Sequence, residues 1–380
     1  MLVNTLDLPL KLLERYEFTH GKENVKTYTG LLAYYALALA ADCKKDPEML
    51  KKCMDYLSRY PDHFDHPTYS FEAYRVGGNA KAFLLMKGYL PDDEARIREY
   101  AEKMYCAEAD KDGLLCMPSF HWVGCEDWEE RGVWIDEVSI VTPFMLFAGM
   151  ALKEQKYVDF AVRQCLDIYD LLRNPDNGLV HQAKGFIDGT GRITEDHWSR
   201  GNGWGLMGLT ELVQYLPKDH PVRERVEQYF VKHVNAIIRY QGENGLWRQE
   251  ITEPLSWFDS SGSGLILYGL GVGIRQGLLQ DVCYRSAFEK GIDGLTKWCM
   301  TDNFATYSSS TGCLCPGTGN TKGTVSAYVN VPCPAADERH SYGCLALAFV
   351  EAHKNGIEEV ELFRLQQWYN PSLKRWLNYL

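Results

Sequence analysis

The sequence predicts an all-α protein in which six helical hairpins close into a ring. The first observation is a short sequence motif that recurs around Gly113, Gly178, Gly245 and Gly312, so that successive glycines lie 65, 67 and 67 residues apart. A period of this size sets the architecture, and a unit of about 65 residues has room for two helices and two connections. Six units account for the 380 residues, so residues 1–380 are expected to form a single domain. Each glycine is expected to occupy a turn with positive φ.

Apolar stretches predict the helices of an inner ring. Residues 31–40, 140–151 and 265–274 are apolar on nearly every face, which is typical of helices that are buried all round. Glycines such as Gly208 and Gly264 would let these helices approach closely. Outer helices are predicted where the chain is amphipathic and charged, at residues 92–107, 155–173, 219–241 and 282–301. Residues 324–329 favour a short strand or an extended loop.

Composition excludes several classes of partner. The net charge of −11 disfavours nucleic acid and anionic membrane surfaces, and no run of 18 uncharged apolar residues predicts a membrane span. The twelve cysteines are scattered, and Cys313-x-Cys315 lacks the second pair that a zinc site requires. These features predict a reduced, soluble, cytoplasmic protein, either a monomer or a homodimer.

The segments that enter the inner helices are rich in aromatic and polar residues. In a ring of hairpins all inner N-termini open on one face, so these segments should converge on one pocket. Aromatic faces beside hydrogen-bonding groups suit a sugar, and helix N-termini favour a ligand that carries a carboxylate. The segments contain Tyr28, Asn79, Trp134, Asp136, Trp198, Arg200, Trp204, Asp259, Ser261 and His340.

Asp136 is the candidate general acid. It stands beside Glu137 and two residues after Trp134, directly before an apolar helix. A carboxyl group among indole rings and other carboxylates is expected to have a raised pKa, as a general acid requires; the alternative is a helix cap. Ordinary glycoside hydrolysis uses a second carboxylate, and the spacing leaves this open between the acids of residues 126–130 and Asp259.

Arg200 is the candidate for binding a carboxylate. It lies between Trp198 and Trp204 at a predicted helix entrance, where it could hold the anion in a bidentate way or brace an indole through a cation–π contact. His181 follows the turn at Gly178, and His340 precedes the sixth inner helix. A solvated loop histidine and a helix cap are the respective alternatives.

With these residues assembled, the chain resembles the unsaturated rhamnogalacturonyl hydrolases and their relatives, the unsaturated glucuronyl hydrolases. The resemblance extends from about Tyr28 to His340. It is most specific in Trp134-Ile135-Asp136 and in Trp198-x-Arg200-Gly201-x-Gly203-Trp204, with support from residues 259–263 and 334–340. The resemblance implies an (α/α)6 barrel with no metal and no cofactor.

The resemblance also implies an activity. Enzymes of this type act on oligosaccharides left by polysaccharide lyases, which carry a 4,5-unsaturated uronic acid at the non-reducing end. They hydrate the vinyl ether: an Asp protonates C4, water adds at C5, and the hemiketal opens to release the remaining chain. Here Asp136 takes the acid/base role, and the expected substrate-binding residues are Tyr28, Trp134, His181, Trp198, Arg200, Trp204, Ser261 and His340.

One departure from the family pattern is informative. The family usually carries a second Asp at the start of the second inner helix, whereas residues 74–79 read Tyr-Arg-Val-Gly-Gly-Asn. An acid from residues 126–130 could replace it. Two other functions are compatible with the departure: hydrolysis of saturated β-glucuronides, and carbohydrate binding without catalysis.

Overall fold

Helices carry most of the regular structure. The computed structural model describes residues 1–22, 27–58, 71–116, 132–185, 191–310, 323–330 and 336–363. Within these ranges the helices are α1 (Leu8–His20), α2 (Tyr28–Lys44), α3 (Pro47–Leu57), α4 (Gly78–Met86), α5 (Glu94–Tyr105), α6 (Val138–Leu152), α7 (Gln155–Leu172), α8 (Ser199–Tyr215), α9 (Arg223–Ile238), α10 (Ser260–Arg275), α11 (Val282–Gly294), α12 (Val325–Asn330) and α13 (Arg339–Lys354).

Six of these helices close into an inner ring. Helix α2 packs on α4, α4 on α6, α6 on α8, α8 on α10 and α10 on α13, and α13 returns to α2. Helices α1, α3, α5, α7, α9 and α11 pack outside this ring. The arrangement is an (α/α)6 barrel, as predicted, and the predicted inner and outer stretches fall in the inner and outer helices.

The inner helices approach closely where they carry glycine. A Cβ atom on Gly264 of α10 would lie 2.6 Å from the carbonyl oxygen of Cys344 on α13, and one on Gly203 of α8 would lie 2.7 Å from Cβ of Leu265. Real Cβ atoms essentially never come within 3.0 Å of such atoms, so these helices pack at their present distance only with glycine at the contact.

The recurring glycine motif forms a turn followed by a buried leucine. Gly113, Gly178 and Gly245 have φ angles of +77°, +79° and +85°, which confirms the expected left-handed conformation. The next residue is a leucine exposed by at most 4% in each case. Each turn leads from an outer helix towards the next inner helix, so the period marks the hairpins of the barrel. Gly312 lies outside the described residues.

Short antiparallel strand pairs join distant parts of the chain. Strand β1 (Leu2–Asn4) pairs with β4 (Glu359–Glu361), and β2 (Val133–Trp134) pairs with β3 (Ala183–Lys184) in a register that places Trp134 opposite Ala183. The second pair fixes the chain that leads into α6.

The expectation of a strand or extended loop at residues 324–329 is wrong, because Val325–Asn330 form helix α12. The hydroxyl of Thr324 accepts a hydrogen bond from the backbone N–H of Ala327 at 3.2 Å. This is the hydrogen bond of a helix N-cap, a signal that the β-branched composition of the segment obscures.

One stretch in the described residues, Ile135–Leu152, is long and apolar enough to cross a membrane. It contains α6, and 78% of it is buried inside the protein. Its apolar character therefore reflects its place in the inner ring.

A buried polar cluster lies near the C-terminal ends of the inner helices. The hydroxyl of Tyr268 on α10 donates to Glu211 of α8 at 2.6 Å. Arg275 donates to Glu351 of α13 at 3.0 and 3.1 Å. Burial raises the pKa of Glu211 to about 7, against a partial opposing effect of the Tyr268 hydrogen bond.

The raised pKa of Glu211 predicts that stability falls as the pH rises. Between pH 4.5, the ordinary pKa of this group, and about 7, the folded state holds a proton that the unfolded state has lost. The free energy of unfolding is therefore highest, as far as Glu211 contributes, below pH 4.5. It falls by up to about 3 kcal/mol by pH 7. Urea unfolding across this range should show the loss in the wild type and a flatter profile in Glu211→Gln. Parallel profiles for the two proteins would contradict the prediction.

Candidate active site

A cleft opens at the N-terminal ends of four inner helices. Its volume is about 520 Å³ including the solvent-filled mouth. The lining residues come from α2, from the turn before α4 and the start of α4, from the turn before α6 and the start of α6, and from α8. They are Tyr28, Leu31, Leu32, Tyr74, Gly78, Asn79, Asp136, Ser139, Ile140 and Trp204. The structure thus brings Tyr28, Asp136 and Trp204, three predicted site residues, to one cavity.

Asp136 and Glu137 are adjacent but have different environments. Both belong to a short 3-10 helix, Ile135–Glu137, that leads into α6. Glu137 is fully buried and accepts the backbone N–H of Trp134 at 3.0 Å. Burial, opposed by that hydrogen bond, raises the pKa of Glu137 well above its ordinary value, and the nearby charge of Asp136 adds to the increase. Glu137 therefore caps this turn, while the half-buried side chain of Asp136 lines the cleft.

Asn79 faces the same cleft as a neutral group. Gly77 and Gly78 have φ angles of +96° and +58°, and this tight glycine turn places Asn79 in the first turn of α4. Its Nδ2 donates to the backbone carbonyl of Ser139 at 2.9 Å. Its Oδ1 is buried and has no hydrogen-bond partner among the described residues. Within the described ranges Asp136 is the sole carboxylate that lines the cleft.

Arg200 is held in a buried frame of serines and an indole. The side chain is 1% exposed, and its Nη1 donates to Oγ of Ser261 at 2.9 Å and to the backbone carbonyl of Ser310 at 2.6 Å. The guanidinium lies 4.4 Å from the ring centre of Trp198, and Tyr328 stacks on the same indole with ring centroids 5.8 Å apart. The cation–π contact between Arg200 and an indole, one of the two roles considered from the sequence, is thus present in the structure.

Asp259 organises this frame and cannot serve as the second acid of the cleft. It is the N-cap of α10, where it accepts the backbone N–H groups of Ser261 and Gly262. It also accepts the hydroxyl of Ser199 at 2.9 Å and the backbone N–H of Ser310 at 3.0 Å. Both carboxylate oxygens are engaged and fully buried, so neither can reach a substrate.

Three residues expected to contact the sugar are placed behind the cleft instead. Trp134, Trp198 and Ser261 are 0%, 1% and 0% exposed. Trp134 lies in the β2–β3 pair, Trp198 packs against Arg200, and the Ser261 hydroxyl donates to Asp259 at 2.7 Å. These three side chains therefore support the residues that line the cleft in this structure, and their contact with substrate stays a prediction.

His340 is connected to the cleft through Tyr28. The hydroxyl of Tyr28 is hydrogen-bonded to Nε2 of His340, and Nδ1 of His340 lies 2.8 Å from both carboxylate oxygens of Glu338. Burial, with the nearby charge of Arg200, lowers the pKa of His340 to about 4. Although burial opposes ionisation, His340 and Arg200 lower the pKa of Glu338 to about 2.

His181 lies in a separate group of buried side chains. Its imidazole is half-buried and lies 4.7 Å from that of His197, and burial lowers its pKa. It is not among the residues that line the cleft, so its contact with substrate stays a prediction. Among the described residues, no group of three or more His, Cys, Asp or Glu side chains could hold a metal ion.

Some site residues were not singled out from the sequence. Tyr74, Asn79 and Glu338 lie in entry segments that the sequence marks as polar and aromatic, yet nothing in those segments ranks one polar residue above its neighbours. The usable signals were the Gly77-Gly78 pair, which fixes where Asn79 points, and the spacing of Glu338 two residues before His340. The candidate acids of residues 126–130 lie outside the described residues.

Comparison with known proteins finds a family match and curated relatives. A family model described as Glycosyl Hydrolase Family 88 matches residues 11–355. The unsaturated 3S-rhamnoglycuronyl hydrolase of Alteromonas sp. (strain LOR) is 24% identical over 245 residues, covering 64% of this chain and 57% of that protein. The protein of the same description from Formosa agariphila is 28% identical over 166 residues, covering 41% and 44%. The matches thus span about half the length of these curated relatives.

Solved structures share the fold. A possible member of the GH105 family from Salmonella enterica serovar Paratyphi A superposes with a TM-score of 0.77 at 18% identity, covering 92% of this chain and 94% of that one. The unsaturated glucuronyl hydrolase of Bacillus sp. GL1 superposes with a TM-score of 0.66 at 14% identity, covering 93% and 97%. At these identities the similarity establishes the (α/α)6 barrel, whereas the substrate has to be inferred from the site residues.

Proposed function

The chain belongs to glycosyl hydrolase family 88, and on that basis we propose that it removes a 4,5-unsaturated uronic acid from the non-reducing end of lyase-generated oligosaccharides. The observation that carries the proposal is a cleft in which Asp136 is the sole carboxylate among the described lining residues. Direct cleavage of an acetal uses two carboxylates. Hydration of a vinyl ether begins with one proton delivered to carbon, which a single acid can supply.

In the proposed reaction Asp136 transfers its proton to C4 of the unsaturated sugar. The positive charge that develops at C5 is shared with the ring oxygen, and water adds at C5. The resulting hemiketal opens and releases the remaining oligosaccharide. Tyr28, Tyr74 and Trp204 offer aromatic surface for the C–H face of the sugar, and Leu31 and Ile140 complete an apolar wall.

The remaining expectations are part of the same proposal. His181 and the buried Arg200 are proposed to act around the uronic acid, Arg200 through its positive charge behind the cleft wall. A cytoplasmic location and a monomeric or homodimeric state stay predictions. The buried free thiols of Cys53, Cys165 and Cys344 are compatible with a reducing compartment.

The test is an assay with disaccharides made by several polysaccharide lyases, followed by the ultraviolet absorbance of the ring double bond. We expect the absorbance to decay and mass spectrometry to show the released sugar. A chromogenic saturated β-glucuronide serves as the matched substrate without the double bond, and we expect no colour from it. Colour without decay would support the glucuronidase alternative, and ligand binding without any product would support a non-catalytic barrel.

A further inference from the structure

Tyr328 of α12 connects two parts of the site that lie far apart in the sequence. Its ring stacks on the indole of Trp198, with centroids 5.8 Å apart and planes 20° apart, and the guanidinium of Arg200 lies 4.4 Å from the centre of the same indole. We propose that Tyr328 is a positioning residue: through Trp198 it holds the guanidinium of Arg200 in the orientation that recognises the carboxylate of the uronic acid. The inference rests on the proposed function and adds to it a residue that determines substrate specificity.

Tyr328 is held in one orientation by hydrogen bonds as well as by the stack. Its side chain is fully buried, and its hydroxyl donates to Oε1 of Gln182 at 2.6 Å. Its backbone carbonyl accepts a hydrogen bond from Nε2 of Gln249 at 2.7 Å. An aromatic stack and a bonded phenol hydroxyl both restrict the ring, so Tyr328 is a rigid support for the indole that it contacts.

Gln182 extends the connection to the turn that carries Asp136. The backbone carbonyl of Gln182 accepts the N–H of Ile135 at 3.0 Å, and Ile135 directly precedes Asp136 in the short 3-10 helix before α6. Tyr328 therefore links the frame around Arg200 to the turn that carries the acid. A carboxylate recognised at Arg200 sets where the sugar ring lies relative to Asp136, and proton transfer to C4 depends on that placement.

The hydrogen bonds of Arg200 explain why it needs the indole. Both of its printed partners, the Ser261 hydroxyl and the backbone carbonyl of Ser310, are bound by the same nitrogen, Nη1. Two bonds at one nitrogen leave the tilt of the guanidinium plane to be set by the aromatic face on which it lies. Arg200 is also one helical turn from Trp204, which lines the cleft. A guanidinium recognises a carboxylate through a planar fork of N–H groups, so a change of tilt weakens the recognition.

The test compares a substrate that carries the carboxylate with one that does not. An unsaturated disaccharide is paired with its methyl ester, which keeps the ring double bond and loses the negative charge. Hydrogen bonds to a charged group favour the acid by about 10- to 100-fold, and we expect the wild-type ratio of kcat/KM to lie in this range. In Tyr328→Leu the ratio should fall to about threefold or less, mainly because KM for the acid rises.

Tyr328→Phe separates the stack from the hydrogen bond. It keeps the aromatic ring on Trp198 and loses the hydroxyl that binds Gln182, so we expect it to keep a ratio close to that of the wild type. A misfolded fraction lowers the active concentration for both substrates equally, so the ratio reports the state of Arg200 even in a less stable variant. If Tyr328→Leu yields no folded protein, Tyr328→Met, which keeps more of the buried volume without a ring, takes its place.

A stacked tyrosine elsewhere provides the matched control. Tyr56 of α3 stacks on Tyr34 of α2 with ring centroids 4.0 Å apart, and neither residue lines the cleft in the described structure. Tyr56→Leu should therefore keep the wild-type ratio of acid to ester.

Two kinds of result would overturn the inference alone. One is a Tyr328→Leu variant that loses activity equally on acid and ester, or whose ratio falls no further than that of Tyr56→Leu, because Tyr328 would then have only a structural role. The other is an active wild type without preference for the acid, because Arg200 would then not recognise the carboxylate. A wild type inactive on the whole panel of unsaturated disaccharides would overturn the proposed function and the inference with it.

Discussion

Asp136→Asn is expected to abolish turnover while the protein stays folded. The substitution keeps the size of the side chain in the cleft but removes the proton that C4 must receive. Loss of a positioned acid costs about 10² to 10⁴ in rate, and here no second carboxylate lines the cleft in the described residues, so we expect kcat to fall by at least about 10³-fold. Steady-state kinetics on an unsaturated disaccharide, with circular dichroism to verify folding, is the measurement.

The neighbouring acid provides a matched control for Asp136. Glu137→Gln keeps an oxygen that can accept the backbone N–H of Trp134, and Glu137 is not among the residues that line the cleft. We expect this variant to retain most of its activity. If Asp136→Asn were as active as Glu137→Gln, Asp136 would not be the acid.

Asp259→Ala is expected to cause the largest loss of stability among single substitutions at the site. Its carboxylate binds the backbone N–H groups at the start of α10, the Ser199 hydroxyl on α8 and the backbone N–H of Ser310. Removing it leaves several buried donors without an acceptor, each costing about 1 to 3 kcal/mol. We therefore expect the free energy of unfolding to fall by about 4 kcal/mol. Activity should fall as well, because Arg200 depends on Ser261 and Ser310.

The comparison for Asp259 is another N-cap of the same residue type. Asp281 caps α11 at the surface, where its side chain accepts the backbone N–H of Cys283 and is bonded to no second helix in the described structure. Asp281→Ala should therefore cost a small fraction of the loss seen for Asp259→Ala. The shift of the urea unfolding midpoint, at an unchanged slope, would measure the loss of stability in each variant. Equal shifts for the two variants would show that Asp259 acts as an ordinary helix cap.

The architecture was largely predictable because it repeats. Turns such as Gly178 and Gly245 recur with the hairpins, and wholly apolar helices can only be buried, so the number of units and their inner and outer members follow from pattern alone. The segment that became α12 was misread because Val325 and Val329 favour strands, whereas the Thr324 cap and the packing of Tyr328 on Trp198 favour the helix. Local composition was outweighed by contacts with the rest of the chain.

The site was predictable only in part. Convergence of the helix N-termini brought Asp136, Tyr28 and Trp204 together as expected, since the ring forces those ends to one face. Which face of each entry segment points inward depends on side-chain packing that sequence spacing does not encode. Trp198 and Ser261 consequently turned out to support Arg200, and Asn79 turned out to line the cleft.

Closure of the ring by α13 has a consequence for synthesis. The helix that the ribosome makes last among the inner six fills the space between α10 and α2. In a nascent chain that ends before Arg339 the ring is open, and the apolar sides of α2 and α10 are exposed. Exposed apolar surface makes incomplete domains prone to aggregation. Loop-closure entropy grows only slowly with chain length, so the separation of about 300 residues between α2 and α13 adds only a modest cost to closing the ring.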